Sequence, residues 1–192
     1  MVELSLHILD IVQNSLHANA SEIAVTVSDN KIDNDYIIRV IDNGDGMDAF
    51  TINKVLDPFF SSKKKKTGLG IPLFKQHAEL CGGGLEIDSK PGQGTEVTAF
   101  FDNDHFDRQP MGDIAGTISG IIRANPMIRI IYKHIVDGES FELDTRELEK
   151  ELGDVPIETP DVISFIKDMI KDNIVELESN RNISKKQIIN NA

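Results

Sequence analysis

Tyr36-Ile37-Ile38-Arg39-Val40-Ile41-Asp42 runs directly into Asn43-Gly44-Asp45-Gly46. The first seven residues are rich in β-branched side chains and predict a strand. The glycines that follow do not extend a strand and predict a sharp bend. A carboxylate is thereby set at a strand end, beside backbone with few side chains. Asp42 is suited to accept a hydrogen bond from an exocyclic amine, which adenine carries and guanine lacks at that position. Gly44 and Gly46 let a base or sugar approach the main chain. The same pattern also describes an ordinary loop, so both readings stay open at this point.

Upstream, residues 3–19 have helical spacing. Leu4, Ile8, Ile11, Val12 and Leu16 fall on one side, and His7, Asp10, Asn14 and His17 on the other. Asp10 and Asn14 are one turn apart on that polar face. An amide oxygen suits a hard cation such as Mg²⁺, and a carboxylate one turn away can accept a proton. A solvated helix face accounts for the same residues. Residues 22–28 predict a second strand, joined to the first by the turn-prone segment 30–35.

Downstream, residues 51–56 predict a short helix that stops before Pro58. Phe59-Phe60-Ser61-Ser62 and the basic run Lys63–Lys66 follow. Gly68-Leu69-Gly70 opens a helix expected from about Ile71 to Cys81, which Gly82-Gly83-Gly84 ends. Exposed N–H groups at such a helix start favour phosphate, and the lysines add positive charge; a tight turn and a solvated loop are the plainer readings. Residues 85–88 and 95–101 predict a hairpin around Pro91-Gly92-Gln93-Gly94, with the Thr95 hydroxyl just past the bend.

Five stretches in this order resemble the motifs of the GHKL ATPases, the superfamily of gyrase, the heat-shock chaperone ATPases, histidine kinases and MutL. DIVQNSLHANA at 10–20 resembles the N box, and DNGDGM at 42–47 the first glycine box. DPFFSSK at 57–63, TGLGIPL at 67–73 and PGQGT at 91–95 resemble the F box and the second and third glycine boxes. The resemblance covers residues 3–101. It implies an α+β fold, a two-layer sandwich of mixed sheet with helices on one face, and ATP and Mg²⁺ as ligands. By resemblance Asn14 is the Mg²⁺ ligand, and Asp42 recognises adenine beside Gly44 and Gly46. Gly68, Leu69 and Gly70 face the phosphates, Thr95 assists at the base, and Lys63 sits where kinase-like members have lysine. Asp10 stands where the hydrolytic branch has glutamate, one methylene shorter. The segment around Asn14 reads like MutL, whereas Pro58–Leu73 reads like a sensor histidine kinase.

The resemblance therefore implies phosphoryl transfer from ATP to a protein. An ATP-dependent switch of the anti-sigma type and a slow MutL-like ATPase are the alternatives. The 192 residues carry 20 basic and 32 acidic side chains, net −12, which disfavours a nucleic-acid partner. No membrane span or signal peptide is expected, and the single cysteine, Cys81, fits a reducing cytoplasm. Beyond a polar linker near 102–111 the pattern changes. A helix is expected at 114–124, a hairpin about Asp137-Gly138, and helices at 145–152 and 161–177. The expected organisation is an ATP-binding domain at 1–103, a small α+β domain at 104–178 that binds a partner or dimerises, and a flexible tail at 179–192. His105-Phe106-Asp107-Arg108-Gln109-Pro110 loosely echoes a kinase phosphoacceptor box, but it lacks the acid after the histidine and follows the ATP domain, and an ordinary linker with a helix start at Gly112-Asp113 is the plainer reading.

Overall fold

The computed structural model describes residues 3–56 and 70–190, with side chains through Ile183. Its elements in chain order are α1 (Leu4–His17), β1 (Glu22–Asn30), β2 (Asp35–Asp42), α2 (Ala49–Leu56), α3 (Gly70–Leu80), β3 (Gly84–Lys90) and β4 (Gly94–Asp102). They continue as α4 (Ile114–Ala124), β5 (Arg129–Val136), β6 (Glu139–Asp144), α5 (Thr145–Leu152) and α6 (Pro160–Asn190). The strands form one mixed sheet ordered β3-β4-β2-β1-β5-β6, in which only the β1–β5 pair is parallel. This is the expected α+β sandwich, consistent with a GHKL ATPase fold.

Period-two alternation decides which sheet face is buried. Ile23, Val25 and Val27 of β1, Ile38 and Val40 of β2, and Ile130 and Tyr132 of β5 point to the same side. Against them pack Leu4, Ile8, Ile11 and Val12 of α1, Phe74 and Ala78 of α3, Ile118 and Ile122 of α4, and Ile166 and Ile170 of α6. The opposite face is partly wet, with cross-strand ion pairs Arg39–Glu96 and Lys133–Glu142. The Asp137-Gly138 turn has both residues at positive φ, 47° and 94°, as a tight two-residue hairpin demands.

Two features differ from the sequence-based expectation. The hairpin β5–β6 is not a sheet of its own, because β5 pairs with β1 from Glu22↔Arg129 to Asp29↔Val136. Residues beyond the expected boundary thus complete the sheet that the first hundred begin. The second difference is at the C-terminus, where α6 runs on to Asn190 instead of ending near 177. Its extension is anchored by Arg181, whose guanidinium donates to the Asp29 main-chain carbonyl at 2.7 Å and pairs with the carboxylates of Asp29 and Asp137, both at 2.9 Å. That side chain is only 8% exposed, so the helix is held by a buried charge node as far as Arg181.

Candidate functional site

Helix α1 crosses the end of the sheet where β2 stops and β4 starts. Ser5, His7 and Ser15 are the buried polar residues of α1, and the Ser15 hydroxyl donates to Asp42 Oδ2 at 2.6 Å. Asp42 Oδ1 accepts the Gly44 N–H at 2.8 Å. Both carboxylate oxygens are therefore held, each with a lone pair to spare. The side chain is buried, and it faces the helix layer together with Val40 and Ile38.

The bend after Asp42 is built by close main-chain approach. A Cβ on Gly46, where φ is +67°, would lie 2.0 Å from the Lys90 carbonyl oxygen. One on Gly94, where φ is +90°, would lie 1.9 Å from the Asp42 carbonyl oxygen. The first glycine bend thus sits on the β3–β4 turn, and Gly92 N–H donates to Asp45 O at 2.6 Å. Register sets Ser89 opposite Thr95, and Thr95 opposite Asp42. Register partners share a face, so Ser89, Thr95 and Asp42 form one cross-strand row. Ser89 Oγ lies 2.9 Å from Thr95 Oγ1.

One turn before Asn14, Asp10 lies against the start of α3. A Cβ on Gly70 would fall 2.9 Å from Asp10 Oδ2. Burial raises the pKa of that carboxyl above the usual aspartate value. Asn14 is exposed, lying between the Ser15–Asp42 contact and the Asp10–Gly70 contact. Among the described residues no group of three or more His, Cys, Asp or Glu side chains could cage a metal. An exposed amide fits instead a Mg²⁺ ion that arrives with phosphates and keeps its own waters.

Asp10, Asn14, Asp42, Gly44, Gly46, Gly70 and Thr95 are thus gathered at one end of the sheet, whereas Lys63, Gly68 and Leu69 lie outside the described residues. His17 is exposed, but His7 is buried against Phe74 at 4.7 Å, with Nε2 at 3.0 Å from His77 Nδ1. The expectation that His7 lies on the open polar face is therefore corrected: α3 covers it. His105 is stacked on Phe106 in the linker turn. Sequence reasoning missed Ser15 and Ser89. The available signal for Ser15 was its place on the apolar stripe, four residues after Ile11.

Residues 2–105 match the family described as histidine kinase-, DNA gyrase B- and HSP90-like ATPase. The chain belongs to this family. Similar proteins include sporulation kinase D of Bacillus subtilis, 36% identical over 91 residues, which are 47% of this chain and 18% of that protein. Nitrogen regulation protein NtrY of Azorhizobium caulinodans is 37% identical over 74 residues, 38% of this chain and 10% of its own. The circadian input-output histidine kinase CikA of Synechocystis is 28% identical over 127 residues, 63% of this chain and 17% of its own. The chain thus spans less than a fifth of the length of these relatives. No helix among the described residues is long and apolar enough to cross a membrane.

Proposed function

We propose that the chain binds Mg-ATP at the end of the sheet carrying Asp42 and passes the γ-phosphoryl group to a protein, in a cytoplasmic signalling or regulatory role. The observation that carries this reading is the Asp42 carboxylate, buried yet retaining acceptor capacity, in one row with Thr95 and beside the side-chain-free Gly44. Asp42 and Thr95 take the adenine, with Gly44 and Gly46 beside it. The N–H groups of Gly68, Leu69 and Gly70 take the phosphates, Lys63 adds positive charge, and Asn14 holds Mg²⁺. The ion, when bound, neutralises negative charge on the phosphates.

Asp10 receives the proton released by the attacking group. Its raised pKa makes it a better base than an ordinary aspartate, so the carboxyl accepts that proton more readily. The chain's main contribution is positioning, since phosphoryl transfer leaves little covalent work to protein groups. Residues 104–178 serve as the partner-binding or dimerising part. Asp10 in place of the longer glutamate favours one second reading, in which ATP acts as a switch or is hydrolysed slowly, as in a MutL-like ATPase.

Calorimetry with Mg-ATP and transfer of labelled γ-phosphate test the reading on wild type, Asn14→Ala, Asp42→Asn and Asp10→Asn. Asp42→Asn is expected to weaken binding by roughly 100-fold, the scale of one buried polar contact left unsatisfied, and the exposed Asn14→Ala to weaken it through loss of the Mg²⁺ ligand. Asp10→Asn is expected to keep affinity and lose turnover. A wild-type protein giving no heat with Mg-ATP would end the proposal.

A further inference from the structure

Ser89 sits where three segments meet. Its Oγ lies 2.8 Å from the Met47 main-chain N, just past the first glycine bend. It is 2.9 Å from the Gly94 carbonyl oxygen and 2.9 Å from Thr95 Oγ1. A serine hydroxyl offers one hydrogen and two lone pairs. The Met47 N–H can only donate, so it uses one lone pair. The Gly94 carbonyl can only accept, so satisfying all three contacts at once assigns the one Ser89 hydrogen to it. Two oxygens at 2.9 Å need a hydrogen between them. Ser89 has none left, so the Thr95 hydroxyl supplies its own.

We infer that Ser89 is a positioning residue that sets base selectivity by fixing the Thr95 hydroxyl as a pure hydrogen-bond acceptor. The inference rests on the proposal that Asp42 and Thr95 face the base. With its hydrogen spent on Ser89, Thr95 has only lone pairs to present beside Asp42, its cross-strand neighbour. Adenine brings an amine donor to such a pair, whereas guanine brings a carbonyl acceptor and is repelled. Ser89 thereby makes a residue that would otherwise tolerate both bases into one that selects. The same hydroxyl ties Met47 to the β3–β4 turn, so it also sets the distance between the two glycine turns.

The test is calorimetric affinity for Mg-ATP and Mg-GTP on wild type, Ser89→Ala, Thr95→Val and the double variant. Ser89→Ala releases the Thr95 hydrogen, which then turns to donate to a guanine carbonyl. The preference for ATP over GTP is expected to fall by about tenfold, the scale of one hydrogen bond gained or lost. In the Thr95→Val background the Ser89 change is expected to leave the ratio as it was, because no hydroxyl remains to be fixed. Where Ser89→Ala does not fold, Ser89→Val, which suits a strand and carries neither donor nor acceptor, gives the same readout. An unchanged ratio in Ser89→Ala or Ser89→Val, or an equal change with and without the Thr95 hydroxyl, would overturn the inference while leaving ATP binding intact. Failure of wild type to bind ATP would overturn the nucleotide reading itself, and this inference with it.

Discussion

Acid should destabilise this fold well before its carboxylates titrate, because two histidines are buried neutral. His7 is 3% exposed, and its pKa is pushed down to about 4 by burial first and by neighbouring His77 second, with a bond from Gln109 acting the other way. His134 is 5% exposed and is also pushed down to about 4, by burial ahead of opposing effects from Asp29 and Arg181. An unfolded histidine titrates near 6.5. Below that pH the unfolded chain binds protons that the native state refuses, so stability is lost as pH falls from about 6.5 towards about 4. At pH 5 the linkage relation gives about 2 kcal/mol per histidine, or about 4 kcal/mol for the pair. Set against a typical total of roughly 5–15 kcal/mol, the loss is large. The depressed carboxyls of Asp29, Asp113 and Asp144 lose their contribution only below the ordinary aspartate range. Asp10, with a raised pKa, acts with opposite sign and offsets part of the loss. Urea unfolding at about pH 8, 6 and 5 on wild type and on a His7→Leu/His134→Leu variant isolates the histidines. The variant is expected to be weaker at pH 8 and to vary much less between pH 6.5 and 5. An equally steep decline in the variant would refute the assignment.

Further outcomes are expected of single substitutions. Gly94→Ala puts a methyl 1.9 Å from the Asp42 carbonyl oxygen at a φ of +90°, so it should cost about 2–4 kcal/mol and lower the melting temperature by roughly 10 °C. Arg181→Ala strands the carboxylates of Asp29 and Asp137 and should cost about 3–5 kcal/mol in urea unfolding. Arg181→Lys should recover only part of this, since an ammonium cannot reproduce the guanidinium's several directed bonds. Tyr132→Phe removes the hydroxyl lying 2.8 Å from His134 Nδ1 and leaves a buried ring nitrogen without its partner, at a cost of about 1–3 kcal/mol by thermal melt.

Local pattern made much of the molecule legible. The spacing of Leu4, Ile8, Ile11 and Val12 fixed a helix, and Asp137-Gly138 marked a hairpin whose strands pair as expected. Asp42, Gly44, Gly46 and Thr95 stood out because glycine bends and strand ends are local features. Ser89 did not, since its role arises from register across the β3–β4 hairpin and from a bond to Met47, 42 residues away. The β1–β5 pairing was equally hidden: parallel neighbours are joined by long crossovers, and nothing in either strand names its partner. Arg181 lies four residues after Leu177 on the inward face of α6, but a polar composition around it masked that one inward position.

How the residues beyond 105 are joined to the first part follows from bonds at the two ends of β1. At the end near Asp42, the Asn43 side-chain oxygen accepts the N–H groups of Ser21 and Glu22 at 2.9 and 3.0 Å. Ser21 O in turn accepts the Arg129 N–H at 3.0 Å, and the Arg129 side chain joins Glu22 to Asp144. Asp144 then caps α5 by accepting the Arg146 N–H at 2.9 Å. At the far end, Asp29 and Asp137 share Arg181. The residue that follows Asp42 is therefore bonded, through two strands, to the start of α5. These links are directional hydrogen bonds, lost over shifts of an ångström or less, whereas apolar packing alone would allow sliding. A shift in the first glycine bend that keeps the Asn43 bonds carries Ser21 with it, and Ser21 in turn is bonded to Arg129 at the start of β5.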